Sequence, residues 1–384
     1  DGNGHGDFYY APPTGFLAMC SANLPISADI DPAQTDDDYP GKQFNTVLYT
    51  GNSTTGQALT GLGFKPDLIW AKMRSSSQNN QLFDSSRMNT RGTPTPFMLR
   101  SDDTGAEIDD QAQGNNNPMI ASFDTDGFTL GTSGSGPNDN GRTYVAWCWR
   151  ANGGVTSSNS DGSITTTLQV GKGFSIGTYT GTGSNATVGH GLGAVPDFTL
   201  FKRRDASGNW VATSQKNMAS NDHNLYLQLS NAESDGNYFQ SGTAMTSSVI
   251  SIGTHADING SSNTYVMYNW INVEGYQKFG KYEGNGNADG PFVYTGFRPR
   301  MMFVKSIDSS DDWIVIDTAR STFNVTNAGL SWNLSNAETT SNRECDILSN
   351  GFKPRTSNTN LNKSSTTYIY GAWGDVPFKY NNTF

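Results

Sequence analysis

Two apolar patterns recur along the chain, and both predict β-strands. Apolar residues at both odd and even positions form short runs at 68–70, 198–201 and 301–304, each bounded by Gly and Pro. Continuous runs of this kind are typical of central strands that are covered on both faces. Residues 143–149 alternate instead, as a strand with two different faces does. Its predicted faces are Thr143, Val145, Trp147 and Trp149 on one side, and Tyr144, Ala146 and Cys148 on the other.

Shorter β-branched and aromatic runs lie between these strands and complete the prediction of fold class. They occupy residues 44–49, 119–123, 127–130 and 248–252, and clusters of Gly, Asn, Asp and Ser separate them. Short strands at regular spacing favour an antiparallel sandwich or jelly roll. No segment keeps a 3.6-residue apolar period, so we expect an all-β protein with little helix.

Three segments of the chain share one template. Each contains a Gly-x-x-Pro element that ends at Pro66, Pro196 or Pro299, and each ends in a strand that begins Thr-Tyr. A lysine follows each proline by six residues, and because these lysines end buried strands we expect their heads to reach solvent. The lysines are Lys72, Lys202 and Lys305. So many shared offsets indicate an internal repeat.

The repeats have the length of independent domains, about 100 residues. We therefore predict three tandem antiparallel β-sandwich domains, jelly-roll-like, at 44–152, 173–273 and 274–384. Residues 153–172 are rich in Ser, Thr, Asn and Gly and are predicted to form a linker with at most one edge strand. Residues 1–43 precede the first repeat.

Composition excludes several classes of protein. The chain has 384 residues, with 25 basic against 35 acidic side chains and a net charge of −10. Without a basic cluster, nucleic acid is not an expected partner. No apolar stretch approaches the roughly 20 residues of a membrane span, so no membrane insertion is expected. Cys20, Cys148 and Cys345 are too far apart in sequence to suggest a disulfide framework. The chain begins at Asp1 without Met, so we expect it to start inside a longer product.

Motifs that carry catalysis or bind cofactors are missing. Phosphate-binding glycine loops and the nucleophile elbow are absent, and the four histidines are isolated. Acidic turns such as Asp124 with Asp126 do not fit a calcium-binding loop. Residues 126–128 recur as Asn350-Gly351-Phe352, where the carboxylate is lost, which favours a hairpin turn. We predict no enzyme, catalytic residue, metal or cofactor, and calcium in the acidic turns stays open.

Tryptophans offer a different kind of candidate site. Trp149, Trp270 and Trp373 share one repeat position and are predicted to be core anchors. Trp210 and Trp313 follow polar turns, so they are candidate binding residues that offer platforms to sugar rings. The structural alternative is that these two begin hydrophobic strands.

The template resembles a repeated domain in virion proteins of marine tailed phages, cyanophages in particular. The motifs that carry the resemblance are Phe64-Lys65-Pro66-Asp67, residues 123–131, residues 143–149, residues 288–299 and Pro377-Phe378-Lys379-Tyr380. Residues 6–20 resemble the last strand of a SPRY-like, concanavalin-type sandwich. The resemblance implies that residues 1–43 are the end of such a sandwich with a linker, and that the rest of the sandwich precedes this chain. The resemblance brings no catalytic residues.

Repeat 2 departs from the template. Asp84 and Arg87 recur as Asp317 and Arg320, but residues 214–217 carry neither. We interpret the two Asp/Arg sets as strand-end ion pairs.

The resemblance implies a virion structural protein, a tail-fibre or spike adhesin, exposed outside the cell. Its expected partners are other virion proteins and host surface glycans, and analogy with phage fibres implies a homotrimer. Two alternatives stay open: a capsid decoration or spacer protein without a receptor, and a polysaccharide-depolymerising tailspike whose acid and base would be carboxylates such as Asp124 and Asp311.

Overall fold

Regular structure in the computed structural model is almost entirely β. The structure describes residues 2, 8–19, 23, 39–90, 94–109, 118–132, 136–240 and 242–374. Within these ranges the helices are two α-helices of four residues and short 3-10 turns such as Pro40–Lys42. The prediction of an all-β sandwich protein with little helix is confirmed. The predicted motif at 377–380 and most of residues 1–43 lie outside the described residues.

The three repeats contain similar successions of strands, with differences in the strands before the closing strand. Repeat 1 consists of β1 (Phe44–Thr50), β2 (Gln57–Thr60), β3 (Leu68–Met73), β4 (Gln81–Met88), β5 (Pro96–Arg100), β6 (Ile120–Asp124), β7 (Gly127–Leu130) and β8 (Thr143–Trp149). Between repeats lie β9 (Ser157–Asn159) and β10 (Thr166–Val170). Repeat 2 consists of β11 (Phe174–Thr180), β12 (Ala186–Gly189), β13 (Phe198–Arg203), β14 (Trp210–Thr213), β15 (His223–Tyr226), β16 (Ser234–Asp235), β17 (Val249–Ile252), α1 (Ala256–Asn259) and β18 (Thr264–Trp270). Repeat 3 consists of β19 (Gln277–Glu283), β20 (Val293–Tyr294), β21 (Pro299–Ser306), β22 (Ile314–Asp317), β23 (Gly329–Ser331), β24 (Cys345–Leu348), β25 (Gly351–Pro354), α2 (Thr359–Asn362) and β26 (Thr367–Gly374).

Each repeat folds into a large and a small antiparallel sheet. The large sheets have the order β1-β8-β3-β4-β5, β11-β18-β13-β14-β15 and β19-β26-β21-β22-β23, so the closing strand of each repeat lies between its first strand and the strand after the proline. The small sheets are β2-β7-β6, β12-β17 and β20-β25-β24. In repeat 2 the large sheet is longer, because β16 extends one edge and β10 with β9 the other. The segment predicted as a linker thus contributes two strands.

The two faces of the closing strand enter two different cores, as the alternation predicted. In β8, Tyr144 and Cys148 pack between the large and small sheets of repeat 1, whereas Trp147 and Trp149 point to the opposite side. The strand after the proline is buried on both faces as well, with Ile69 in the first core and Trp70 in the second. The predicted character of both strands is confirmed.

The second core belongs to all three repeats at once. Each repeat has a private core between its own sheets, and one further apolar cluster contains buried residues from all three large sheets. Burial of this shared cluster removes many tryptophan and phenylalanine side chains from water, which is the dominant favourable term in folding. The three sandwiches therefore pack against one another instead of standing apart.

Candidate functional site

The tryptophan that closes each repeat lies at the centre of the shared core. The ring centroids of Trp149, Trp270 and Trp373 are 6.2, 5.3 and 6.3 Å apart in their three pairings, all edge-to-face. Edge-to-face packing at such separations is favourable for aromatic rings. The prediction that these residues are core anchors is confirmed, and the anchors of the three repeats contact one another around a pseudo-threefold axis.

The lysine after each proline crosses to the neighbouring repeat. Its Nζ atom donates to a backbone carbonyl three residues before a glutamate of that repeat. The bonds are Lys72 to Ser335 at 2.7 Å, Lys202 to Thr104 at 2.9 Å and Lys305 to Ser230 at 2.9 Å. Repeat 1 thus binds repeat 3, repeat 2 binds repeat 1, and repeat 3 binds repeat 2. The prediction that these lysine side chains reach solvent is wrong. All three lysines are buried, and their ammonium groups donate hydrogen bonds to carbonyls.

A second set of bonds crosses the same three interfaces, with donor and acceptor in the opposite cyclic order. The backbone N–H of a glutamate in one repeat donates to a carbonyl in the next. The bonds are Glu107 to Arg204 at 2.9 Å, Glu233 to Ile307 at 2.8 Å and Glu338 to Arg74 at 2.9 Å. Because every interface is head-to-tail and the third returns to the first, the three repeats form a closed ring.

The two candidate binding residues lie inside these interfaces. Trp210 and Trp313 are 0 % exposed. Their Nε1 atoms donate to the carbonyls of Arg100 at 2.7 Å and Tyr226 at 3.1 Å, each in the preceding repeat. Asn80, the equivalent residue of repeat 1, donates in the same way to repeat 3. Neither indole can present a face to a sugar in this structure, and the alternative of hydrophobic strand starts describes both.

The Asp84/Arg87 pair is a buried joint between repeats 1 and 2. Arg87 Nε lies 2.6 Å from Asp84 Oδ2, and both side chains are fully buried. The same oxygen accepts a hydrogen bond from the hydroxyl of Tyr268 in repeat 2, and Glu107 lies 3.2 Å from Arg87. Burial alone would lower the pKa of Arg87, but these carboxylates hold the pKa above its usual value. The pair is thus an interface element and not only a strand-end ion pair.

The departure of repeat 2 from the template coincides with changes in its neighbour. Asp317 of repeat 3 accepts from Trp147 of repeat 1, as Asp84 accepts from Tyr268. At the third interface the donor position, in repeat 3, is Gly371, which has no side chain to donate. The acceptor position, in repeat 2, is Ser214 instead of an aspartate. A buried carboxylate without a partner would be costly, which accounts for the joint loss.

The acidic turns bind their own loops. Asp126 accepts from the N–H groups of Gly61 and Gly63, and these bonds lower the pKa of Asp126. Asp124 accepts from two neighbouring hydroxyls. Within the described residues, no group of three or more His, Cys, Asp or Glu side chains is placed to hold a metal ion. The same part of the chain contains no helix long and apolar enough to cross a membrane.

One open cleft combines an exposed aromatic ring with buried polar groups. It has a volume of about 300 Å³ and is lined by Glu274, Gln277, Lys278 and Tyr294, at the entry to repeat 3. The tyrosine is 61 % exposed, while Gln277 is buried. No motif singled out in the sequence points to this cleft. The sequence signal for the cleft lies in the outward-facing residues of the first strand of each small sheet, because only repeat 3 has aromatic residues there.

Fold and site together define an all-β protein in which three homologous sandwiches close into a ring. The chain belongs to the family described as Domain of unknown function (DUF7483), which it matches over residues 39–377. The match covers all three repeats. No curated protein and no solved structure matches the chain.

Proposed function

We propose that this protein is a structural protein of a bacteriophage virion, a tail-fibre or spike head that is exposed on the particle and contacts glycans of the host surface. The identity of the particle rests on the resemblance of residues 44–384 to repeats of tailed-phage virion proteins. The mechanical part of the proposal rests on the closed ring of repeats. A head that meets a host cell must hold its shape, and three sandwiches with one shared core do so.

The observation that carries this proposal is the use of the buried ionisable groups. Lys72, Lys202 and Lys305 each bind a carbonyl of a neighbouring repeat, and the pairs at Asp84 and Asp317 accept bonds from the next repeat. Perturbed ionisable groups mark catalytic sites in many enzymes, but they also occur in structural networks. The three lysines are perturbed in this way, and each of them joins two repeats, which favours a structural role.

A capsid decoration or spacer protein is the second candidate, and the ring itself favours it. Three equivalent interfaces give the chain an internal threefold arrangement, which suits a position on a threefold axis of a lattice. The homotrimer expected from phage fibres stays a prediction. No contact of Asp124 or Asp311 favours the depolymerase, since neighbouring hydroxyls occupy both carboxylates.

Cryo-electron microscopy of the particle that carries this chain tests the proposal. We expect density for the ring at the tail, and a deletion mutant whose particles adsorb poorly to host cells. Density spread over the capsid lattice, with normal adsorption of the deletion mutant, would favour decoration. Absence of the chain from purified particles would contradict both.

A further inference from the structure

The outer face of the small sheet in repeat 3 carries two exposed aromatic rings. Phe292 is 49 % exposed and Tyr294 is 61 % exposed, whereas Val293 between them is buried in the private core of repeat 3. Side chains alternate along a strand, so the two rings lie on the same outward face. Exposed apolar residues that lie together on one face are typical of a surface that binds a ligand or a partner.

Each ring has a glycine close to it, where a side chain would come into contact with the ring. A Cβ atom on Gly351 would lie 2.9 Å from Cε2 of Phe292, and one on Gly296 would lie 3.4 Å from the hydroxyl oxygen of Tyr294. Atoms of each ring therefore lie close to a residue that has no side chain, while about half or more of each aromatic residue stays exposed. Such a ring loses little conformational entropy when a ligand binds.

The other two repeats show that the fold does not need these aromatic residues. Leu59, Val188 and Val293 are equivalent, because each is the buried residue of the first small-sheet strand that pairs with the buried residue after the turn. The residues flanking them are Ala58 and Thr60 in repeat 1, Thr187 and Gly189 in repeat 2, and Phe292 and Tyr294 in repeat 3. The aromatic pair is thus a property of repeat 3 alone.

A second substitution specific to repeat 3 lies in the adjoining cleft. Gln277 pairs with Trp373 in the position where Phe44 pairs with Trp149 and Phe174 with Trp270. Its amide nitrogen donates to two backbone carbonyls, but its Oε1 atom is buried and has no hydrogen-bond partner in the described structure. A buried acceptor without a partner costs free energy, and the phenylalanines at the equivalent positions of repeats 1 and 2 avoid that cost.

We propose that this face, defined by Phe292, Tyr294 and the cleft at Gln277, binds a saccharide chain. Sugar rings have apolar C–H faces that stack on aromatic rings, and hydroxyl groups that exchange hydrogen bonds with polar side chains such as those that line the cleft. Glu274 and Lys278 line the same cleft with both signs of charge, which suits an uncharged ligand better than an anion. A volume of about 300 Å³ is at the lower end for ligand pockets and suits a short stretch of a glycan. The inference rests on the glycan contact in the proposed function and assigns it to residues.

Binding of the full chain to an array of immobilised bacterial oligosaccharides and capsular polysaccharides tests this site. The informative variants replace Phe292 by Ala and Tyr294 by Thr, the residues of repeat 1, so the fold tolerates them. We expect wild-type binding to at least one glycan and a loss of at least tenfold in affinity in the double variant. Phe323→Ala is the matched control, because Phe323 is an 84 % exposed aromatic residue elsewhere in repeat 3, and it should bind like wild type.

Three outcomes would overturn the assignment. Equal binding by wild type and double variant would place the saccharide elsewhere and leave the adhesive function intact. Absence of glycan binding, with the chain still found on the particle, would overturn the saccharide but not the virion role. Poor incorporation of the double variant into particles, without glycan binding by wild type, would make another virion protein the occupant.

Discussion

Trp147 of repeat 1 donates its indole N–H to Asp317 of repeat 3, across 2.9 Å and 170 residues of sequence. Tyr268 of repeat 2 makes the same bond to Asp84 of repeat 1 with a phenol. Two different side chains thus meet one requirement, a donor that reaches the buried carboxylate of the neighbouring repeat. This requirement concerns the interface and not the sandwich that carries the residue.

Loss of the buried carboxylate at Asp84 should destabilise the whole protein. Asp84→Asn leaves Arg87 with one fewer anion in a dry interface, and breaking a buried pair in this way costs about 3–5 kcal/mol. Asp205→Asn is the control, since Asp205 pairs with Arg203 at the surface and is 35 % exposed. The control should cost less than about 1 kcal/mol. Urea unfolding measures both, and equal effects would contradict a buried joint.

Stability should rise with pH above neutrality. Burial lowers the pKa of Lys72, Lys202 and Lys305 to about 8, whereas nearby aspartates raise it less. The unfolded chain keeps these protons up to about pH 10.5, so between about 8 and 10 it binds more protons than the folded chain. The free energy of unfolding then increases with pH, by at most about 1.4 kcal/mol per unit for each lysine.

Urea midpoints between pH 7 and 9.5 check this dependence, and Lys72→Met should reduce the slope. Buried tyrosines such as Tyr179, whose pKa is raised by burial, reverse the trend above about pH 10, where the unfolded chain loses their protons first. A midpoint that falls between pH 8 and 9.5 would contradict the account.

The interface between repeats 3 and 2 should open before the other two. The backbone hydrogen bond from Glu233 N–H to the carbonyl of Ile307 is as short as those of Glu107 and Glu338. In both other interfaces, however, the residue at the position of Ile307 is an arginine whose side chain pairs with the glutamate. We expect the amide of Glu233 to exchange its hydrogen at least about tenfold faster, because exchange reports local opening. Equal protection of the three amides would show that the arginines contribute nothing to closure.

Sequence patterns predicted what each strand buries but not what it is buried against. The alternation of residues 143–149 assigned Trp149 and Cys148 to opposite faces, and both faces proved to be cores. The partner of Trp210 is the carbonyl of Arg100, which is 110 residues away. Its position depends on how the repeats pack, and periodicity within one repeat contains no information on that.

The departure of repeat 2 at Ser214 was visible in the sequence, but its explanation was not. The residue that completes it, Gly371, lies in another repeat and has no obvious relation to position 214 in a linear comparison. The aromatic pair at Phe292 and Tyr294 was also visible. Residue type does not determine exposure: the tryptophans that follow polar turns are buried, whereas this phenylalanine and tyrosine are exposed.

Scanning calorimetry of the intact chain and of Trp373→Ala tests the central claim, that three repeats fold as one ring. We predict a single transition whose calorimetric and van't Hoff enthalpies agree, because the shared core couples the repeats. Trp373→Ala should lower the midpoint of that single transition, with a cost of about 3–5 kcal/mol. Separate transitions for the repeats, with only the transition of repeat 3 lowered by the variant, would contradict the closed ring.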